Sequence, residues 1–179
     1  MEVKEMRKVL LLGVVFALVA VTAFSGCLQG GKGTLVLQIT DSPSLLNLTH
    51  ANVTISQVQV HMSAGGGNNT TAGWYTIVNE SRTYDLINIT GVKEFFGSAN
   101  LSAGMYTQIR LTVDSCVITV NGTQYNCTVP SGAIKLIKPF LIKANQTTTL
   151  TMDFDAQKSI TEKGNHKYVF TPVIKIIQE

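Results

Sequence analysis

Charge, histidine and cysteine are all scarce in this chain. Only 14% of its 179 residues are charged, against 45% hydrophobic, and the mean hydropathy is +0.21. That balance excludes a disordered, solvating polymer. Three Cys are too few for a disulfide-dense miniprotein. A formal net charge of +3 makes no basic stripe of the kind that tracks a nucleic acid. The metal spacings His-x-x-x-His and Cys-x-x-Cys are absent, and Gly65-Gly66-Gly67 runs into Asn and Thr instead of the Lys-Ser/Thr of a phosphate loop. Of the three histidines, His50, His61 and His166, none sits in a nucleophile motif. The expectation is a non-enzymatic protein without a cofactor.

What the chain does have begins with an address. Lys4, Arg7 and Lys8 precede the unbroken apolar run Val9–Phe24, followed by Ser25-Gly26-Cys27. Charged start, apolar middle and small-residue end define a secretory signal. The apolar run is 16 residues long, short of the roughly 17 to 25 needed to span a bilayer. Phe24-Ser25-Gly26-Cys27 resembles the lipobox of prokaryotic lipoproteins, with Phe where Leu is usual. The resemblance implies cleavage before Cys27 and a lipid on it. The alternatives are a secreted chain with an incidental Cys27 and an uncleaved single-span anchor. Residues 1–26 are thus read as a signal helix and 27–33 as a flexible tether. Removing the leader takes away three basic and two acidic residues, so the mature net charge is +2. The lipid on Cys27 is then the main attachment to the membrane.

Ten of the eleven Asn open an Asn-x-Ser/Thr sequon: Asn47, Asn52, Asn68, Asn69, Asn79, Asn88, Asn100, Asn121, Asn126 and Asn145. With 21 Thr and 11 Ser, chance supplies about two. The excess favours glycans on several of these sites, though not on both neighbours Asn68 and Asn69. The other reading is that Asn and Thr mark turns and wet strand faces. A lipobox beside a dense sequon field suggests an archaeal cell-surface protein on the outer face of the cytoplasmic membrane.

Cys116 and Cys127 flank two alternating runs joined by Asn121-Gly122, a strong hairpin signal. A two-residue turn pairs 120 with 123, and the same register sets 116 opposite 127. A disulfide is expected there, contributing about 2 to 3 kcal/mol at most and pinning register. Two buried thiols or a redox pair are the alternatives.

From Thr34 onward the hydrophobic period is two, broken by turn residues, with no long helical stripe. Leu35, Leu37 and Ile39 alternate with polar or smaller residues; Val58, Val60 and Met62 follow a slip of phase, which marks a bulge. About nine strands fit residues 34–179, including Met105–Val113, whose polar side reads Tyr106, Gln108, Arg110 and Thr112. The predicted architecture is all-β: a single β-sandwich or distorted barrel.

Several phrases in order carry a family resemblance: Gly33 to Pro43 (GTLVLQITDSP), Val53 to His61 (VTISQVQVH), Ala103 to Leu111 (AGMYTQIRL), Val129 to Gly132 (VPSG), Asp153 to Ala156 (DFDA) and Pro172 to Ile174 (PVI). They resemble the domain of unknown function 4382, found in archaeal and bacterial surface lipoproteins. The resemblance implies a surface address and brings no catalytic residues. Gly104-Met105-Tyr106 is similar to the strand opening of transthyretin-like (prealbumin-like) sandwiches, which implies that type of fold.

The remaining candidates are few. Tyr106, Gln108, Arg110 and Thr112 offer a polar face to a glycan or an envelope protein. Asp153 and Asp155, expected side by side on a wet strand face, are weak candidates for Ca²⁺. The expected role is a binding or structural module of the cell envelope. One rival is a filament or envelope-assembly subunit that pairs an exposed edge within Tyr168–Gln178 with a neighbour. Another is a metal-assisted hydrolase or redox protein built from distant loops.

Overall fold

A computed structural model describes residues 31–42, 48–63 and 72–179 of the chain. The expected signal helix, Cys27, Asn47, Asn68 and Asn69 lie outside the described residues. Within them the chain forms twelve strands and one helical turn: β1 Lys32–Asp41, β2 Leu48–Met62, β3 Gly73–Val78, β4 Arg82–Asp85, β5 Glu94–Ser102, β6 Gly104–Val120, β7 Thr123–Thr128, β8 Ala133–Ile142, β9 Thr147–Phe154, α1 Ala156–Ser159, β10 Ile160–Glu162, β11 Tyr168–Phe170 and β12 Ile174–Gln178. The all-β reading holds, with more strands than the nine expected. Thr171-Pro172 breaks the expected Tyr168–Gln178 run in two, because proline has no amide to give a ladder. The short β10 carries too few residues to show a period.

Two sheets pack face to face. One has four strands in the order β12-β9-β1-β5, with β1 and β9 parallel. The other has eight, running β10-β11-β7-β6-β2-β3, with β4 on β2 and β8 on β6. At one side β3 lies against β5; at the other β8 lies against β9 and β12. The alternation read from the sequence sets the core. Leu35, Leu37 and Ile39 on β1 and Leu150, Met152 and Phe154 on β9 are fully buried, facing Val58, Val60, Ile109 and Leu111 of the larger sheet. Each such side chain contributes about 1.5 to 3 kcal/mol on burial.

β2 and β6 are the long members, with 15 and 17 residues, and they pair antiparallel from Leu48↔Val120 to Met62↔Tyr106. Four irregularities interrupt that ladder, and each resets which face the side chains take. One of them corrects the expected polar face. Between Tyr106 and Gln108 the register shifts on both neighbours of β6, so Tyr106 turns inward and Met105 outward. Tyr106 is fully buried, stacks on Phe140 with ring centroids 5.4 Å apart, and donates its hydroxyl to the Ser102 carbonyl at 3.0 Å.

The strands give the molecule two ends. A base is formed where Lys32 of β1 meets Ser102, the β5–β6 turn and the Lys143–Gln146 turn. A tip lies at Asn121-Gly122, at the far end of β6. The sheet opens at Lys32, so Lys32 and Gly33 of the expected tether already belong to β1. Gly33 is required there by close packing: a Cβ on it would sit 2.2 Å from the Lys143 carbonyl oxygen. We therefore expect Gly33→Ala to cost about 1 to 3 kcal/mol in urea unfolding. Gly132→Ala, whose new methyl meets nothing nearer than 3.7 Å, should be close to neutral. Equal effects would contradict this packing.

Candidate functional site

The outer face of the larger sheet carries a cluster of interacting polar and aromatic groups. Its register lines up Trp74, His61, Gln108 and Ile137 in one row and Thr76, Gln59, Arg110 and Lys135 in the next. Alternation places these outward because Val58, Val60, Ile109 and Leu111 point in. The Arg110 guanidinium lies 4.1 Å from the Trp74 ring centroid, a cation–π contact across the two rows. His61 meets the same indole edge-on, with centroids 5.0 Å apart. Gln59 donates to the Thr76 hydroxyl at 3.2 Å, and the buried Nδ1 of His61 has no protein partner. An indole lying against a guanidinium, with an edge-on imidazole and amide groups beside it, forms a surface suited to a sugar ring or a polar peptide.

Three of the four residues expected on this face are there: Gln108, Arg110 and Thr112. Tyr106 belongs to the core. Trp74 and His61 were missed, because the register that pairs 61 with 74 and 60 with 75 is set by strand pairing that no turn signal in the sequence fixes.

The β6–β7 hairpin has the expected register, with Val120↔Thr123 and Val117↔Asn126 paired. Asn121 and Gly122 take the left-handed backbone that this turn requires. The expected disulfide is not formed in this structure. Cys116 and Cys127 are free thiols with their sulfurs 3.3 Å apart. The Cys116 thiol donates to Cys127; that bond, with burial, pushes Cys116 up, and against burial it holds Cys127 below the ordinary thiol value. Tyr168 of β11 is paired beside Cys127, and Tyr125 stacks on His166 at 5.4 Å.

Asp153 and Asp155 do not stand together on a wet strand face, because β9 ends between them. Asp153 is half-buried and accepts from the Ser42 hydroxyl at 3.0 Å. Asp155 caps α1, accepting from the Lys158 amide at 3.0 Å and pairing with its ammonium at 2.6 Å. Both hold Asp41, at the end of β1, in a negative field. Asp41 is 2% exposed; one oxygen accepts from the Ala156 amide at 2.9 Å and the other has no protein partner. Burial, with repulsion from Asp153 and Asp155 and against the Ala156 bond, raises its pKa to about 7. Among the described residues, no three His, Cys, Asp or Glu side chains are grouped to hold a metal ion.

Seven sequon asparagines are described. Asn79, Asn88, Asn100, Asn121, Asn126 and Asn145 are exposed, while Asn52, within β2, is half-buried. Asn121 and Asn145 also have left-handed backbones, so turn geometry alone is reason enough for asparagine at those two. Asn100 accepts from Thr34 and Asn79 from Gln57. An unanticipated pair, His50 and Asp85, joins β2 to β4 at 2.6 Å, and Asp85 also accepts from the Ala51 amide.

Fold and surface together define a two-sheet β-sandwich. The model of one family, described as Domain of unknown function (DUF4382), matches residues 32–172, and the chain belongs to that family. No curated protein and no solved structure matches it.

The Asp41 environment has a signed consequence. A carboxyl whose folded pKa is about 7, above its ordinary 3.8, favours the folded state most below about pH 4 and loses that contribution as pH rises through 7. Asp41→Asn keeps an acceptor for Ala156 and removes the charge. Its thermal midpoint should exceed that of the native chain by several degrees at pH 8 and match it at pH 4. A shift independent of pH would contradict the assignment.

Proposed function

We propose that this protein is a non-enzymatic, lipid-anchored cell-surface module whose sandwich holds a polar, aromatic-centred face away from the membrane. The observation that carries the reading is the pairing of a lipobox at Cys27 with sequons that fall, in six of seven described cases, on exposed positions. Exposure is what a glycosylated ectodomain requires, and buried sequons would have argued against it. Attachment runs through a lipid on Cys27. The partner is an envelope protein or a glycan, received by Trp74, His61, Gln108 and Arg110. The hairpin already sets the Cys116 and Cys127 sulfurs side by side, so after export exchange with an oxidised disulfide partner, which leaves as the dithiol with the two electrons and two protons, would join them.

A second reading has its own observation. β12 pairs only with β9, and β8, along the same side, only with β6, so each sheet ends there in an unpaired edge. Pro139, Lys135 and Lys138 break up the β8 edge, whereas the five-residue β12 has only Lys175 to blunt it. Strand addition at β12 would make the chain an assembly subunit.

Intact-mass and peptide mapping of protein taken from native membranes tests the first reading. The expected result is a chain beginning at a lipidated Cys27, lighter by two hydrogens at Cys116–Cys127, with glycans on some of Asn79, Asn88, Asn100 and Asn126. An unmodified chain with its leader intact and all three thiols reactive would refute it. Regular oligomer ladders after mild crosslinking, lost on Ile176→Pro in a variant that still unfolds cooperatively, would favour the assembly subunit.

A further inference from the structure

Three of the six large apolar side chains exposed on the described surface stand on β6 and β8: Met105 at 43%, Leu141 at 42% and Ile137 at 78%. Met105 and Leu141 are direct cross-strand partners on the outer face of the larger sheet, two residues from the turns that form the base. They face outward because the next pair, Tyr106 and Phe140, is locked into the core. Ile137 stands further up the same strand, opposite Gln108, and belongs to the row of Trp74 and His61.

The base is also polar in sign. Lys32 and Lys143 are exposed there, and residues 31–36, 60–63, 72–76, 99–108 and 136–147 contain no Asp or Glu. Parallel β1 and β9 both run from this end to the carboxylates Asp41, Asp153 and Asp155 at the other. The basic end is the one from which the chain leads back to Cys27. Five residue steps separate Cys27 from Lys32, a reach of about 18 Å at full extension.

We propose that Met105 and Leu141, with Lys32 and Lys143 at the same end, form a membrane-contact corner that lays the lower edge of the larger sheet on the anionic headgroup layer beside the Cys27 lipid. The proposal rests on the lipid-anchored reading. A short tether keeps this corner within headgroup range, apolar side chains enter the acyl boundary, and ammonium groups meet lipid phosphates. Asn100 and Asn145 also lie near the base, but Asn100 meets Thr34 in the smaller sheet, which this orientation leaves turned outward.

The test uses the full mature chain from native-type membranes, reconstituted in vesicles of phosphatidylcholine with about one-third phosphatidylglycerol. Trp74 is the single tryptophan, so reporters are placed in a Trp74→Phe background: Met105→Trp, Leu141→Trp as a second probe of the face, and Val173→Trp, an exposed site beyond the far end of β9, as the reference. Lipids with a shallow nitroxide quencher should quench the 105 and 141 reporters at least about twofold more than the 173 reporter. Lys32→Glu with Lys143→Glu should abolish the difference. Equal quenching at all three positions, or none at 105 and 141 with the lipid present on Cys27, would overturn the proposal. Mass analysis of the same sample separates the two layers: a Cys27 without lipid overturns the anchoring reading and the reach argument with it.

Discussion

Because β2 and β6 pair along almost their whole length, every other element takes its position from them. β3 and β4 share one side of β2, and β7 and β8 share one side of β6, so four short strands inherit the register of two long ones. The smaller sheet then closes over that ribbon, with Leu37, Ile39, Met152 and Phe154 buried in the shared core. Without the ribbon neither the outward row containing Trp74 and Arg110 nor the facing thiols of Cys116 and Cys127 would be assembled. Such long-range pairing is slow to form, since loop closure between distant residues comes before the contacts that stabilise it.

The fold was legible where alternation is unbroken. The apolar residues of β1 and β9 are buried as their alternation predicts, with Thr40, Asp41, Thr148 and Thr151 buried besides, and the β6–β7 hairpin follows from Asn121-Gly122 alone. It was illegible where a bulge resets phase, because one extra residue sends a whole run to the opposite face. Tyr106 was assigned to solvent for that reason: Thr107 is the inserted residue, and nothing in its type announces it. Asp155 was misplaced for a different reason. Strand β9 ends one residue earlier than its pattern suggests, and an aspartate that starts a helical turn looks in sequence like one that alternates along a strand. The buried setting of Asp41 was not legible, because the one backbone partner of its carboxylate is the Ala156 amide, more than a hundred positions away.

The site was legible in part for the same physical reasons. Gln108, Arg110 and Thr112 could be placed because they lie on one side of a single strand. Trp74 and His61 could be joined to them only by pairing strands across a loop. Family membership adds an architecture without a reaction, so function rests on what the surfaces can hold. The surfaces differ along one axis: lysines without carboxylates at the base, three aspartates at the other end of β1 and β9, and a stacked aromatic and guanidinium group on the outer sheet between. A tethered protein needs this kind of asymmetry, because one end has to tolerate the membrane while a face remains free.

The β2–β6 ribbon runs unbroken from base to tip and sets the distance between them. Electron–electron distance measurement between spin labels attached through bio-orthogonal side chains at Lys143 and Thr123 tests it most directly. Seventeen residues of β6 lie between those levels, and at about 3.3 Å per residue the ribbon should give one narrow distribution near 50 Å. A broad distribution, or one centred at half that distance, would mean that the strand bends or breaks at its bulges and that the two ends are not held apart.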